Sequence, residues 1–318
     1  MVKMKLKKKD NILIVGSGVL GAYLAKELKN NKNNIIITTR QLKKKYNNFK
    51  KLNIQSKVKF VKLDILNKIQ IKKIIEKFNP ISIYYFAGQS SIIKSYKDIK
   101  GTVDSNYIGA KNFLTIIKEK NLKTKFFKSN SGYIFKNNKN KINLKCKFAD
   151  TQNPYVKAQI NAYKIVKSFR ENFKINSYNI VFFNIESPLR NKNFIFLKAC
   201  LAAKNKRKIY VGNLKIIRDF SWAPEIMKGL SYANKIKPCD LIFGSGRGMS
   251  IRELIKKIFK YEKLNYSKFI KINREFFRKE EAKIMISDIS LTIKKLKKYN
   301  WKPKIYRDKL IKKMLNSL

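Results

Sequence analysis

The chain has 318 residues, 44% of them hydrophobic, enough to bury one large core or two modest ones. It carries 74 Lys+Arg against 20 Asp+Glu, formally +54, with no histidine. The lysines are scattered through every segment beside abundant Asn and Ile, which favours compositional drift and solvated faces over a nucleic-acid role, for which no motif stands. Three widely spaced cysteines, Cys146, Cys200 and Cys239, support neither a disulfide framework nor a zinc site, so no metal is expected. The basic, apolar N-terminus mimics a signal peptide, but a glycine fingerprint occupies it. No apolar run of about 18 residues follows, so no membrane span is expected and a reducing cytoplasm is.

Short apolar runs alternate with helical patterns. "NILIVG" (11–16) reads as a buried strand and "VLGAYLAKELKN" (19–30) as a helix. "NIIITT" (34–39) and "KVKFVKL" (57–63) are the second and third strands, and 65–78 is helical. "SIYYFAG" (82–88) is the fourth strand, 107–120 a helix and "TKFFKSN" (124–130) the fifth strand. "NPYVKAQINAYKIVKSF" (153–169) is an amphipathic helix, and "SYNIVFFN" (177–184) a sixth strand. Helices are expected again at 194–206 and 251–263. This alternation predicts an α/β fold with a parallel sheet covered on both faces.

The first strand–turn–helix carries Gly16-Ser17-Gly18-Val19-Leu20-Gly21, a G-x-G-x-x-G. Glycines there allow the tight turn and close approach of a pyrophosphate, while the helix N-terminus offers free N–H groups. After the second strand stand Thr38-Thr39-Arg40, with no acid for a ribose hydroxyl and an arginine suited to a 2′-phosphate. NADP is therefore expected over NAD. Asp64 and Ile65, after the third strand, are placed near the adenine, with a loop cap as the alternative for Asp64. A late glycine-rich stretch, "GSGRGMSIREL" (244–254), reads instead as a strand-to-helix turn closed by a Ser250–Glu253 capping box.

Six segments in register resemble the extended short-chain dehydrogenase/reductases, and most of all the GDP-mannose 4,6-dehydratases. They are "YYFAGQSS" (84–91), "FFKSNSGYIF" (126–135), "NPYVKAQINAY" (153–163), "FFNIESPLRNKNF" (182–194), "GNLKIIRDFSWA" (212–223) and the stretch 277–303. The resemblance implies a Rossmann-type doubly wound parallel sheet at 1–184 and a smaller C-terminal α/β substrate domain at 185–318. The chain is expected to cross back near 215–243. It places a catalytic hydroxyl at Ser131 and an acid/base at Tyr155, and lines the cofactor with Ala87, Gly88, Gln89 and Tyr155 itself. Ser90, Asn184, Glu186, Asn193, Arg218, Arg278 and Glu281 fall on substrate-binding positions. Partners implied are a nucleotide-diphosphate sugar, GDP-linked, and a second copy of the chain, in a dimer or tetramer; the helices 107–120 and 155–170 have apolar stripes for such pairing.

Two positions depart from that family. Its enzymes carry a lysine four residues after the tyrosine, where this chain has Gln159; Gln159 can hydrogen-bond a ribose hydroxyl but carries no charge. Lys157 and Lys164 project from nearly the opposite helix face. Tyr133 stands where the dehydratases have glutamate, and "SGYIF" resembles the 4-keto-sugar reductases instead. Three functions follow: a dehydratase-like enzyme, a 4-keto reductase or epimerase, and a dinucleotide-binding protein with little catalysis. Without the lysine, turnover is expected to climb towards about pH 9–10, where a free tyrosine ionises.

Overall fold

The computed structural model describes residues 10–29, 33–42, 46–136, 141–277 and 281–318. Arg278 and the lysines at 43–45 lie outside them. The strands are β1 (Asn11–Val15), β2 (Asn34–Thr39), β3 (Lys59–Lys62), β4 (Ser82–Tyr85), β5 (Lys125–Ser131), β6 (Ser177–Phe182), β7 (Asn184–Glu186), β8 (Ile209–Val211), β9 (Ile217–Trp222), β10 (Asp240–Phe243), β11 (Gly248–Ser250), β12 (Ile270–Ile272) and β13 (Ile284–Met285). The α-helices are α1 (Val19–Lys29), α2 (Asn47–Lys51), α3 (Lys68–Phe78), α4 (Ile92–Lys97), α5 (Ile99–Val103), α6 (Gly109–Glu119), α7 (Pro154–Phe173), α8 (Ile195–Lys204), α9 (Ala223–Ala233), α10 (Ile251–Tyr261), α11 (Ser290–Lys295) and α12 (Arg307–Asn316).

A seven-stranded parallel sheet has the order β10-β6-β5-β4-β1-β2-β3. The chain order reverses between β1 and β4, which is where open α/β sheets bind ligands beyond their strand ends. β1 pairs in parallel with β2 on one side (Leu13 opposite Ile36) and with β4 on the other (Leu13 opposite Ile83). These strands are apolar on both faces because both are covered. The expected Rossmann-type sheet is present, and every strand read before residue 185 lies within a few residues of its expected place.

The chain divides into two compact units. One comprises Met1–Ser129, Asn161–Asn179 and Lys237–Cys239; the other comprises Asn130–Ile160, Ile180–Ile236 and Asp240–Leu318. The core of the first joins Leu13, Val15, Ile36, Ile83 and Phe126 of the strands to Ile71 and Ile75 of α3, Phe113 and Ile117 of α6, and Val166 and Phe169 of α7. The apolar stripes of α6 and α7 are used in this core.

The second unit has its own core, built from α8, α10, α12 and β8–β9, with Phe196, Phe220, Leu254, Ile258 and Met314 among its members. β9 is its central strand, antiparallel to β11 and parallel to β7 and β13. Asp219 of β9 is fully buried and ties loops together: it accepts from the backbone N–H groups of Ser245 (2.8 Å), Gly246 (2.9 Å) and Ser287 (3.1 Å), and from both serine hydroxyls. Five donors satisfy the carboxylate, which makes its burial tolerable.

Sequence patterning missed the short helices α2, α4, α5 and α11, whose single apolar turns carry no full period. It also started the sixth-position helix late: a π-helical turn, Asp104–Ile108, runs directly into α6. The capping box at α10 is half made. Ser250 Oγ accepts from Glu253 N at 3.0 Å, but the Glu253 carboxylate turns to Arg307 and to Lys257 instead of closing the box. No described helix is long and apolar enough to cross a membrane.

Candidate active site

The turn after β1 is made by missing side chains. Gly16 has φ +115°, and a Cβ there would stand 2.9 Å from Ala87 N. A Cβ on Gly21 would stand 2.3 Å from Gly16 O, so the helix packs against the turn only without one. Around Gly18 nothing lies within 4 Å of the place a Cβ would fill, which leaves space for a ligand's phosphates. Helix α1 begins at Val19 with no acid in its first turn, and Ala22 N makes a backbone bond to Gly18 O. The N–H groups before it and the dipole's positive end are open to an anion. This geometry fits a dinucleotide pyrophosphate.

The other expected cofactor positions lie in the same unit. Arg40 is exposed immediately after β2, and no carboxylate follows it among the described residues at that strand end. Asp64 accepts from Leu66 N at 3.0 Å, so it caps the turn before α3, while Ile65 O accepts from Asn112. Ala87, Gly88 and Gln89 follow β4. A Cβ on Gly88 would meet Asn106 Oδ1 at 2.4 Å, and Asn106 in turn donates to Gln89 O at 3.0 Å. Gln89 donates to Ser91 O at 2.8 Å and Thr102 Oγ1 at 3.3 Å. The π-helical turn thus pins the loop that the sequence places along the cofactor. Ser90 is exposed beside Ser91, the N-cap of α4.

The second unit brings Ser131, Tyr133 and Tyr155 together. Ser131 ends β5. Its Oγ accepts from Tyr133 N at 3.3 Å and shares a side-chain hydrogen bond with Tyr155. Tyr155 is the second residue of α7, whose start is fixed by Pro154 and by Asn153 Oδ1 accepting from Val156 N at 3.1 Å. The phenol is 8% exposed. Burial pushes its pKa up to about 12; the Ser131 bond and Arg190's charge pull it down, and Tyr133 pushes it up. The climb at pH 9–10 expected from a free tyrosine is therefore corrected. Burial places ionisation of this phenol higher.

Gln159 follows one turn later, 4% exposed, while Lys157 and Lys164 are exposed. Arg218 lies 5.9 Å over the Tyr133 ring and meets Glu281 at 3.3 Å, so two expected substrate positions are joined to the tyrosines. Asn184 donates to Asp219 O at 3.1 Å, beside Arg218 on β9. Asn193 is exposed in the turn before α8. Glu186 is 2% exposed and 3.5 Å from Arg190. Burial raises its pKa to about 7, against Arg190's pull. Arg190 was not among the expected site residues. It stacks 4.0 Å over Phe194 and donates to Ile185 O. Its signal in the sequence is one arginine after "ESPL", lost among 74 basic residues.

The arrangement can bind a dinucleotide and can exchange a proton at a buried phenol. Solved structures share its fold. A UDP-glucose 4-epimerase from Thermotoga maritima, solved with UDP-glucose, superposes with a TM-score of 0.84 at 18% identity, covering 96% of this chain and 98% of that one. A dTDP-glucose 4,6-dehydratase from Bacillus anthracis, solved with NAD, gives 0.84 at 15% identity, covering 97% and 96%. Among relatives in sequence, GDP-mannose 4,6 dehydratase 1 of Arabidopsis thaliana is 24% identical over 263 residues, 80% of this chain and 72% of that protein. GDP-mannose 4,6 dehydratase of Homo sapiens is 24% identical over 282 residues, 80% of this chain and 74% of that protein. The family model for GDP-mannose 4,6 dehydratase matches residues 13–314, and the chain belongs to that family.

Proposed function

We propose that the chain is a dehydratase-type enzyme acting on a GDP-linked sugar with NADP. The first unit would hold the dinucleotide and the second the sugar nucleotide. The observation that carries this reading is the hydrogen bond between Ser131 and the buried Tyr155 at the start of α7. It unites the two residues that the resemblance made the catalytic pair.

In this reading Gly16, Gly18, Val19, Leu20 and Gly21 cradle the dinucleotide's phosphates, Arg40 takes the 2′-phosphate, and Asp64, Ile65 and Ala87–Gln89 line the rest. When bound, NADP supplies the acceptor and donor of hydride. Tyr155 Oη accepts the proton of a sugar hydroxyl as that carbon is oxidised and gives it back at the end. Ser131 Oγ orients that hydroxyl. Arg218 and Glu281, with Arg278, hold the diphosphate and base, and Ser90, Asn184, Glu186 and Asn193 border the sugar.

A second reading rests on Tyr133. A phenol is a poor base for a sugar carbon at neutral pH, and a 4-keto reductase or epimerase needs none at that position. Incubation with NADP(H) and a panel of nucleotide sugars, followed by mass spectrometry, separates them. Loss of water supports the dehydratase, gain of two hydrogens the reductase, and an isomer of unchanged mass the epimerase. No conversion of any sugar overturns the enzyme reading and leaves a dinucleotide-binding protein.

A further inference from the structure

Arg190 of the second unit has no role in the reaction proposed above. A tight turn brings it back over the end of β7: Leu189 N donates to Ser187 Oγ at 3.2 Å and Arg190 N to Ser187 O at 3.1 Å. Its guanidinium donates to Ile185 O, stacks 4.0 Å over Phe194 and stands 3.5 Å from Glu186 Oε1. Two polar atoms of this pair are left over. Arg190 Nε and Glu186 Oε2 are buried and have no hydrogen-bond partner among the described residues. An orphaned buried donor is costly and calls for an explanation.

The turn is built into the wall of the reaction centre. β7 lies in parallel beside β9, with Asn184 opposite Phe220 and Glu186 opposite Trp222. From the same strand β9, Arg218 reaches 5.9 Å over the Tyr133 ring. Just before β7, the Phe183 ring fills the space beside Gly132, where a Cβ would stand 2.8 Å from it. Gly132 directly follows Ser131, which bonds Tyr155. Tyr155, Ser131, Gly132, Phe183, Glu186 and Arg190 all belong to the second unit. Arg190's charge reaches both acids of this wall, Tyr155 and Glu186, and favours the ionised form of each.

We propose that Arg190 is a positioning residue of the reaction centre, supplying from the turn after β7 the positive charge that Gln159 does not supply from α7, and that Glu186 divides this charge with Tyr155. The inference rests on the reading of Tyr155 as acid/base. With Glu186 protonated, the full charge of the guanidinium acts on the phenol; with Glu186 ionised, the pair is closer to neutral and Tyr155 gains less. The unpartnered Nε fits a guanidinium held ready for a charge that appears only when Tyr155 ionises. The other groups that bear on the three are Ser131 and Tyr133 at the end of β5, Arg218 of β9, which is paired with Glu281 at 3.3 Å, and Cys200 of α8, whose thiol is kept uncharged by burial and by Glu186.

The test compares wild type, Arg190→Gln, Arg190→Lys and Glu186→Gln, each checked for thermal midpoint. Two readouts are taken: kcat against pH, and the substrate-free titration of a trifluorotyrosine in place of Tyr155, read by ¹⁹F NMR. Fluorine makes a phenol more acidic and brings the titration into a range where the chain stays folded. Arg190→Gln is expected to raise the titration by about one pH unit and to lower kcat at pH 7 by about tenfold. Arg190→Lys keeps the charge and should recover most of both; a titration as high as that of Arg190→Gln overturns the proposal. Glu186→Gln is expected to move the titration the opposite way, to lower pH, because the neutral amide leaves the charge of Arg190 to the phenol. A merely structural disturbance at two neighbouring side chains has no reason to move one phenol in opposite directions. Titrations in Arg190→Gln and Glu186→Gln that fail to part in these directions overturn the proposal, whatever the turnover. Parted titrations with no turnover on any sugar uphold it and remove the enzyme reading instead. If Arg190→Gln fails to fold, Glu186→Gln decides: a lowered titration supports the proposal and an unlowered one overturns it.

Discussion

The glycine turn after β1 and the Ser131–Tyr155 cluster are built on opposite principles. The turn is a backbone device. What matters at Gly16, Gly18 and Gly21 is the absence of a Cβ, and the ligand groups are N–H bonds that every residue possesses. Drift towards lysine, asparagine and isoleucine leaves such a site intact. The cluster is a side-chain device. Tyr155 and Glu186 have charge states set by burial and by their neighbours Ser131, Tyr133 and Arg190. One exchange, such as glutamine at 159, changes the chemistry without disturbing the fold. A protein of this composition therefore preserves dinucleotide binding more readily than it preserves a particular reaction.

The largest expected effect separates the two regions. Tyr155→Phe removes the proton-exchanging oxygen and is expected to lower turnover by about 10³-fold. Dinucleotide affinity, measured by intrinsic fluorescence, should stay within about threefold, since the cradle's backbone is untouched. Loss of both together would show that the regions are not separable.

Next comes the buried acid of the cluster. The folded-state pKa of Glu186 is raised from 4.5 to about 7, so the folded state prefers the protonated carboxyl. Its contribution is fully present below the unfolded pKa and is lost as pH rises from about 4.5 through about 7. The loss amounts to at most about 3.5 kcal/mol at about 1.4 kcal/mol per pKa unit. Glu186→Gln should flatten that decline in urea unfolding measured between pH 5 and 8. An equally steep decline in the variant would place the titrating group elsewhere.

On the cradle side, Gly16→Ala forces a Cβ to 2.9 Å from Ala87 N at φ +115°. The expected cost is about 1–3 kcal/mol of stability and at least about tenfold in dinucleotide affinity. Wild-type affinity in this variant would mean that the turn adapts and the phosphates are held elsewhere. The smallest effect concerns which dinucleotide is held. Arg40→Asp should shift the ratio of NADP to NAD affinity by about tenfold towards NAD, the size of one lost charge-assisted contact. Tighter NAD binding by the wild type would refute the role of Arg40.

How legible each region was follows from the same contrast. β1, β2, β4 and β5 were readable because strands covered on both faces are continuous apolar runs, and the glycine motif sits between a strand and a helix in plain order. The pairing of Ser131 with Tyr155 was reachable only through resemblance, since 24 residues separate them and no local period links them. Arg190 was not found. In a chain with 74 basic residues, one more lysine or arginine carries no signal until burial is known.

The sequence by itself determined the strands of a parallel sheet and the phosphate turn, because periodicity and missing side chains act over a few residues, whereas the strand order with its reversal between β1 and β4 came from the tertiary structure. Only the tertiary structure decided that Lys128 is buried while Lys157 is exposed, that Glu186 lies against Arg190, and that the Tyr155 phenol is pushed up to about 12. The reason is physical: an ionisable group's behaviour is set by how much water and which charges surround it, and those neighbours come from strands and helices far apart in the chain.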